Sequence, residues 1–228
     1  MTIRRKTIPS LFLAAALSAA AITTVPASAE EVFNAPVATR HANESGLQTA
    51  IFAGGCFWGI EAVFAHTRGV QSAVSGYHGG TQRQAEYRLV ASGVTDHAEA
   101  VKVVYDPSVI RYDQLLQILF SVGADPTLLN RQGPDRGTQY RSAIVPLTAE
   151  QRTVAQSYLR QMGNSGVWDG NIVVAIENHR QFFPAEEYHQ DFAFRNPNNA
   201  YIRRWDAPKV EALREMFPQF YRSTYRTG

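Results

Sequence analysis

The chain has 228 residues, of which 45% are hydrophobic and 18% are charged, and its formal net charge is +2. This composition is typical of a globular protein and excludes a disordered chain, and the absence of a long basic run argues against a nucleic-acid partner. A single cysteine excludes a disulfide within the chain, and a zinc site is not expected because no cluster of Cys and His ligands exists.

The first 29 residues have the pattern of a cleavable signal peptide. A basic start of Arg4, Arg5 and Lys6 precedes an apolar run over residues 11–25, and an A-x-A cleavage site ends at Ala29. The run is shorter than the roughly 20 residues that span a membrane, so an uncleaved anchor is the weaker alternative. We expect a periplasmic or secreted protein with no stable membrane insertion after cleavage. Removing three basic residues would leave a formal charge of −1.

The remaining chain has a length that suits one domain with a hydrophobic core. Residues 30–46 are mixed in composition and contain Pro36, which predicts a mobile N-terminal arm. Residues 47–201 are predicted to form the folded domain, and residues 202–228 a C-terminal extension that packs on it.

The segment around Cys56 is the first with a chemical signature. Residues 50–53 predict a short buried strand, two glycines follow, and apolar Phe57, Ile60 and Phe64 have helical spacing. Cys56 is therefore predicted at the N-terminus of a helix, where free N–H groups and the helix dipole favour a thiolate and lower the pKa of the thiol. A small buried hydrophobic cysteine is the alternative.

A second candidate is Glu99, in a run of β-forming residues that ends at Asp106-Pro107. Strand alternation puts Glu99 on the same face as Val101 and Val103. Burial among valines would raise the pKa of the carboxyl and suit it to act as a general acid. The alternative is a glutamate at the end of a strand that turns to water or pairs with His97.

The rest of the chain alternates unevenly between strands and helices. Helical spacing predicts helices over residues 113–122, 148–162 and 207–216, and strands are predicted over residues 70–77, 141–147 and 171–176. A long polar loop is predicted over residues 123–140, and His189 is predicted to be a hydrogen-bonded structural residue. The pattern favours one α+β domain with a mixed, mainly antiparallel sheet and packed helices.

Together, these segments resemble the peptide methionine sulfoxide reductases of the A type. The motifs that carry the resemblance run from about Ala50 to Tyr201: residues 54–59, 76–77, 97–101, 104–107, 130–133, 137–144 and 184–191. The resemblance implies an α/β roll related to the ferredoxin-like fold, a peptide-methionine (S)-S-oxide reductase activity, and neither a metal nor an organic cofactor.

The resemblance also implies roles for individual residues. Cys56 matches the nucleophile, whose thiolate attacks the sulfoxide sulfur and becomes a sulfenic acid, and Glu99 matches the proton donor. The residues implied in substrate binding are Phe57, Trp58, Tyr87, Asp135 and Tyr140. The two residues after the cysteine would hold the methyl group, and the tyrosines would bind the sulfoxide oxygen.

One departure from the family pattern has a chemical consequence. Many members have a second, resolving cysteine after an Asn-Pro segment, but here Asn196-Pro197 leads to Ala200-Tyr201-Ile202. We therefore expect an external thiol donor, either a thioredoxin-fold protein or a small thiol, and a monomeric enzyme acting on free or protein-bound methionine sulfoxide. Two other functions stay open at this point: a cysteine hydrolase that uses His97 or His189, and a non-catalytic module that binds methionine-rich peptides.

Overall fold

The computed structural model describes residues 31–227. The strands are β1 (Gln48–Gly54), β2 (Val70–His78), β3 (Ala98–Tyr105), β4 (Arg131–Gln132), β5 (Asp135–Arg136), β6 (Ser142–Val145), β7 (Ala175–Ile176) and β8 (Phe182–Pro184). The α-helices are α1 (Phe57–Ala65), α2 (Tyr87–Ala91), α3 (Tyr112–Ile118), α4 (Ala149–Gly163), α5 (Phe192–Arg195) and α6 (Ala207–Met216).

Six of the strands form one sheet in the order β7-β6-β1-β3-β2-β8, and β4 pairs with β5 in a separate hairpin. All pairs in the large sheet are antiparallel except β6 with β7. The register sets Glu99 of β3 opposite Tyr77 of β2, next to the end of β1. The predicted α+β class with a mainly antiparallel sheet and packed helices is therefore confirmed.

The two faces of the sheet differ in what covers them. Val101, Val103 and Tyr105 of β3 are fully buried in the main core with α1 and α3, because alternate side chains of a strand share a face. The opposite face carries a smaller apolar cluster built on Ile51 and Val145. Glu99 belongs to the main-core face, as its position in the strand predicts.

Several predicted boundaries change in the structure. The predicted strand at 171–176 is reduced to Ala175–Ile176, and the predicted helix at 113–122 passes into a π-helical turn at Leu119–Gly123. The predicted loop at 123–140 contains the β4–β5 hairpin and a 3-10 turn at Thr138–Tyr140, so it has structure of its own.

The predicted mobile arm is instead a packed extended segment over residues 31–46. Ala35 is 1% exposed, and its backbone N–H donates to the Ser121 hydroxyl. The backbone N–H of Ala42 donates to Asp113, and Tyr158 donates its hydroxyl proton to the Pro36 carbonyl. The buried residues of this segment are alanines among polar neighbours, so the overall hydrophobicity of the segment stays low and composition alone gave no sign of this packing.

The chain after Tyr201 lies against α1. A π-helical turn at Ile202–Asp206 leads into α6, and Arg222 in the last segment donates to the carbonyl oxygens of Ala65 and Val70 at 2.9–3.1 Å. Ala65 is the last residue of α1, so a cation satisfies the carbonyl end of the helix that begins next to Cys56.

The predicted signal peptide, residues 1–29, lies outside the described residues. Within residues 31–227, none of the helices combines the length and apolar character needed to cross a membrane.

Candidate active site

Cys56 lies in the turn between β1 and α1, where it is the N-cap residue of the helix. The turn needs glycine at position 55, because Gly55 has a φ of +89° and a Cβ there would overlap the side chain of Gln132. Gln132 is held in turn by its side-chain amide, which donates to the Asp125 carbonyl at 2.7 Å and the Ser142 hydroxyl at 3.0 Å. The predicted strand–turn–helix setting of the cysteine is therefore present.

The predicted pKa of Cys56 is corrected by the structure. Burial raises the pKa of the thiol well above its ordinary value, and the negative charges of Glu99 and Asp206 raise it further. The backbone N–H of Trp58 opposes this shift but is outweighed. The helix N-terminus acts in the predicted direction, yet loss of hydration and nearby carboxylates dominate, so the thiol keeps its proton at neutral pH.

Glu99 is 2% exposed, and its Oε2 accepts a hydrogen bond of 3.0 Å from the backbone N–H of Phe57. Burial raises its pKa to about 8, although the Phe57 N–H lowers it, and the charges of Asp135 and Asp206 raise it again. The carboxyl therefore keeps its proton at neutral pH and is tied to the residue beside Cys56. The alternative pairing with His97 is not observed, because that ring contacts Thr81 and Gly80.

Phe57 and Trp58 form an aromatic cluster with residues that come much later in the chain. Phe57 is 1% exposed and packs against the His189 ring with a centroid distance of 5.1 Å. Trp58 is half-buried, stacks on Phe192 at 3.8 Å, and donates from Nε1 to Nδ1 of His189 at 3.1 Å. His189 is thus a hydrogen-bonded residue, as predicted, and it holds the Trp58 indole in one orientation.

Tyr87 and Tyr140, the two tyrosines predicted to bind the sulfoxide oxygen, are half-buried, and the charges of Glu99 and Cys56 affect the pKa of both. The pKa of Tyr87 is raised to about 12, first by burial and then by the charges of Glu99 and Cys56. Burial also raises the pKa of Tyr140, as do the charges of Glu99 and Asp135. The two phenols therefore stay protonated and can donate hydrogen bonds.

Asp135, the remaining predicted site residue, accepts a short hydrogen bond from the Tyr201 hydroxyl. Tyr201 also meets the edge of the Trp58 ring at 5.9 Å, and the charge of Cys56 contributes to raising its pKa, after burial. Tyr201 was not predicted as a site residue, because its segment differs from the family pattern in lacking a cysteine. The signal available in the sequence was a tyrosine at the end of the stretch that resembles the family.

Two further carboxylates, which were not predicted from the sequence, position parts of the site. Glu186 accepts from the Tyr87 backbone N–H at 2.8 Å and from the Tyr77 hydroxyl at 2.7 Å, so it holds the segment that carries Tyr87. Asp206 is 1% exposed, and a Cβ on Gly59 would overlap its carboxylate, which places it against α1.

A charged cluster ties the Tyr140 and Glu99 segments together from the other face of the sheet. Arg141 donates from Nε to Glu177 at 2.6 Å and to the carbonyl oxygens of Thr138 and Asp96 at 3.0 and 3.1 Å. Nδ1 of His78 lies 3.3 Å from the same glutamate. Burial alone would raise the pKa of Glu177, but hydrogen bonds from His78 and Arg141 lower it to about 2.

Among the hydrogen bonds found for residues 31–227, none joins Cys56 to His97 or His189, so the geometry gives no support to a cysteine hydrolase. The same residues contain no group of three or more His, Cys, Asp or Glu side chains arranged to hold a metal ion.

Comparison with known proteins agrees with this geometry. The profile of the peptide methionine sulfoxide reductase family matches residues 48–220, which includes most of the predicted C-terminal extension. The chain is 52% identical to peptide methionine sulfoxide reductase MsrA 2 of Mesorhizobium japonicum, over 77% of this chain and 90% of the relative. It is 49% identical to a protein of the same description from Synechocystis, over 75% and 80% of the two chains.

Two solved structures are also similar to this chain. Reduced Mxr1 of Saccharomyces cerevisiae superposes with a TM-score of 0.59 at 31% identity, covering 71% of this chain and 92% of that one. Methionine sulfoxide reductase A of Corynebacterium diphtheriae superposes with a TM-score of 0.56 at 30% identity, covering 72% and 89% of the two chains.

Proposed function

The chain belongs to the peptide methionine sulfoxide reductase family and has its reductase activity, and from this premise we propose that Cys56 is the nucleophile and Glu99 the proton donor. The observation that carries the proposal is their placement. Cys56 caps α1, and the next residue, Phe57, donates its backbone N–H to Glu99 at 3.0 Å. The acid is therefore hydrogen-bonded to the residue next to the nucleophile, so the two groups can act on the two ends of one sulfur–oxygen bond.

In the proposed reaction, the Cys56 sulfur attacks the sulfoxide sulfur while Glu99 donates its proton to the sulfoxide oxygen. The proton lost by the Cys56 thiol replaces the one that Glu99 gives up. The oxygen passes to Cys56 as a sulfenic acid and methionine leaves, so the substrate sulfur gains two electrons and the cysteine sulfur loses two. A pKa of about 8 supports this role for Glu99, because the carboxyl holds a proton at neutral pH.

The surrounding aromatic residues are proposed to hold the substrate. Phe57 and Trp58 would bind the methyl group, and the protonated phenols of Tyr87 and Tyr140 would donate to the oxygen. The hydrogen bond between Trp58 and His189 supports a fixed indole orientation, which a site selective for one sulfoxide epimer needs. We assign the S epimer, as the family resemblance implies.

Return to the thiol requires an external donor, because the sequence has one cysteine. The donor thiol would displace water from the sulfenic acid to form a mixed disulfide, and a second thiol would release Cys56. We propose a thioredoxin-fold protein or a small thiol in this role. The basic and apolar pattern of residues 4–29 supports export, so the proposed substrates are oxidised methionines of exported proteins.

The test uses N-acetylmethionine sulfoxide of each epimer, with and without dithiothreitol. Wild type should turn over the S epimer repeatedly with dithiothreitol and should consume about one equivalent per chain without it. Cys56→Ser should consume none in either condition. Repeated turnover without a thiol, or equal use of both epimers, would overturn the proposal.

A further inference from the structure

Glu61 is a buried carboxyl that the proposed reaction does not use. It lies on α1 three residues after Trp58, and residues three apart are neighbours on the surface of a helix. The two side chains therefore leave α1 on the same side. Glu61 is 0% exposed, so its carboxyl has lost its hydration and its contacts in the protein must offset that cost.

Both oxygens of Glu61 accept hydrogen bonds from the backbone. Oε2 accepts from the Asp191 N–H at 3.0 Å, and Oε1 accepts from the Ser75 N–H of β2 at 3.3 Å. Asp191 has a φ of +55°, which is uncommon for residues other than glycine and persists where surrounding contacts hold it. Glu61 therefore fastens an unusual turn of the chain to the helix that begins next to Cys56.

The residues on either side of Asp191 contact the Trp58 indole. His189 accepts from the indole N–H at 3.1 Å, and the Phe192 ring stacks on the indole at 3.8 Å. Gln190, between them, donates from its side-chain amide to a backbone carbonyl of β2 at 3.0 Å. We call these four consecutive residues the indole clamp.

The indole clamp also contacts other residues of the site. The ring centroid of His189 lies 5.1 Å from that of Phe57 and 4.3 Å from that of Tyr87. The clamp therefore touches both residues proposed to bind the methyl group and one of those proposed to bind the oxygen. A shift of the clamp would change the shape of the methyl pocket.

Glu61 is neutral at pH 7. Burial raises its pKa to about 8 and the charge of Asp191 raises it too, while the backbone N–H groups of Ser75 and Asp191 lower it. Within residues 31–227, no ion pair is found for Glu61. Glutamine is therefore its conservative replacement, because a protonated carboxyl and an amide both combine a carbonyl acceptor with a donor and carry no charge.

We propose that Glu61 is a positioning residue of the reductase, which fixes the indole clamp on Trp58 and thereby sets the size of the methyl pocket. This inference rests on the proposed function, because it takes Phe57 and Trp58 as the residues that bind the methyl group. Removing the carboxyl takes away the hydrogen bond that fastens Asp191 to α1. The clamp should then move from the indole, and the wider pocket should admit a larger alkyl group.

The experiment compares the S epimers of N-acetylmethionine sulfoxide and N-acetylethionine sulfoxide, which differ by one methylene on the sulfur. Their kcat/KM values are measured with dithiothreitol. The methyl-to-ethyl ratio reports the fit of the pocket and does not depend on the fraction of folded enzyme. Wild type should prefer the methyl substrate by about tenfold or more, the usual effect of one methylene in an apolar pocket.

The decisive variant is Glu61→Leu, which roughly keeps the side-chain volume and removes both acceptors. It should lower the ratio by about two- to tenfold, the factor that corresponds to one hydrogen bond. Glu61→Gln should restore most of the ratio. Gln151→Leu is the matched control, because Gln151 is also 0% exposed but its amide donates to β1, at the Thr49 carbonyl, and it should keep the wild-type ratio.

An unchanged ratio in Glu61→Leu would overturn the inference, even if both rates fell together, because that result assigns Glu61 to stability alone. A ratio in Glu61→Gln as low as that in Glu61→Leu would also overturn it. If Glu61→Leu does not fold, Glu61→Asp replaces it, because its shorter side chain withdraws the carboxyl from the Asp191 N–H. The ratio should fall there too, and an unchanged ratio would contradict the proposal.

The same data separate this inference from the proposed function. A ratio near one in wild type would overturn the inference, while turnover of the methyl substrate would leave the chemistry of Cys56 intact. No turnover of the methyl substrate by wild type would instead count against the proposed function.

Discussion

Glu99 and Glu177 lie next to two consecutive residues of β2. At neutral pH the Glu99 carboxyl is protonated and the Glu177 carboxyl is ionised. Glu99 faces Tyr77 across the ladder in the main core, whereas Glu177 approaches His78 on the other face of the sheet. The pKa of Glu99 is raised to about 8, and that of Glu177 is lowered to about 2. Burial pushes both values upward, so the partners decide the difference.

The partners also separate a chemical role from a structural one. Glu177 receives Arg141 and His78, which favour its charged form and fix the segments behind the site. Glu99 receives one backbone N–H and lies near two further carboxylates, so it keeps a proton that it can donate. A carboxyl without a cationic partner is costly to bury, and perturbed groups of this kind cluster at functional sites, which supports the proposed role of Glu99.

The largest expected effect separates the two residues by turnover. Glu99→Gln should lower kcat at pH 7 by about 10²–10⁴-fold, because the amide cannot supply the proton. Glu177→Gln should cause a far smaller loss, since it disturbs only the support of Thr138 and Asp96. Steady-state kinetics with dithiothreitol would measure both, and similar losses in the two variants would contradict the assignment of roles.

The next effect is on stability, where the two substitutions are expected to act in opposite directions. Glu177→Gln should lower the free energy of unfolding at pH 7 by about 1–3 kcal/mol, because Arg141 loses its ionised partner. The contribution of Glu177 is present above the pKa of about 4.3 of an unfolded glutamate, and it is lost as the pH falls through about 2. Urea unfolding at pH 7 would detect the loss.

Glu99 should behave in the reverse sense. Its folded pKa of about 8 exceeds the unfolded value, so the stability it contributes is present below about pH 4.3 and decreases as the pH rises to 8. Glu99→Gln should therefore be more stable than wild type at pH 8, by about 1 kcal/mol or more. A lower unfolding midpoint than wild type at pH 8 would show that the charged form is not penalised.

The smallest effect is on the reactivity of the thiol. Alkylation of wild type by iodoacetamide should keep rising through pH 9, because burial and nearby carboxylates raise the pKa of Cys56. Glu99→Gln should move the inflection to lower pH, since one of these charges is removed. Glu177→Gln should leave it unchanged, and an equal shift in both variants would point to a general change in packing.

Much of this site could be predicted from local sequence. The strand–turn–helix setting of Cys56 follows from two glycines between a buried strand and a helical spacing. The burial of Glu99 follows from strand alternation, because its neighbours at every second position are core residues. Both predictions depend only on residues close together in the sequence and on the regular geometry of strands and helices.

What escaped prediction depends on contacts between distant segments. The pKa of Cys56 was predicted from its own helix, but burial in the folded chain raises it most, and the carboxylates that raise it further come from β3 and from the segment before α6. The contacts of Tyr201 with Asp135 and of His189 with Trp58 join residues 66 and 131 positions apart. The packing of residues 31–46 likewise depends on α3 and α4, which no local pattern reveals.

The most direct test of the central claim is intact-mass analysis of the protein after one equivalent of S sulfoxide peptide without reductant, followed by dimedone. Wild type should gain one oxygen atom, convert it to a dimedone adduct that peptide mapping assigns to Cys56, and release one methionine peptide. Cys56→Ser should show neither product. Methionine peptide released by Cys56→Ser at the wild-type rate, or by wild type without oxidation of Cys56, would contradict the account.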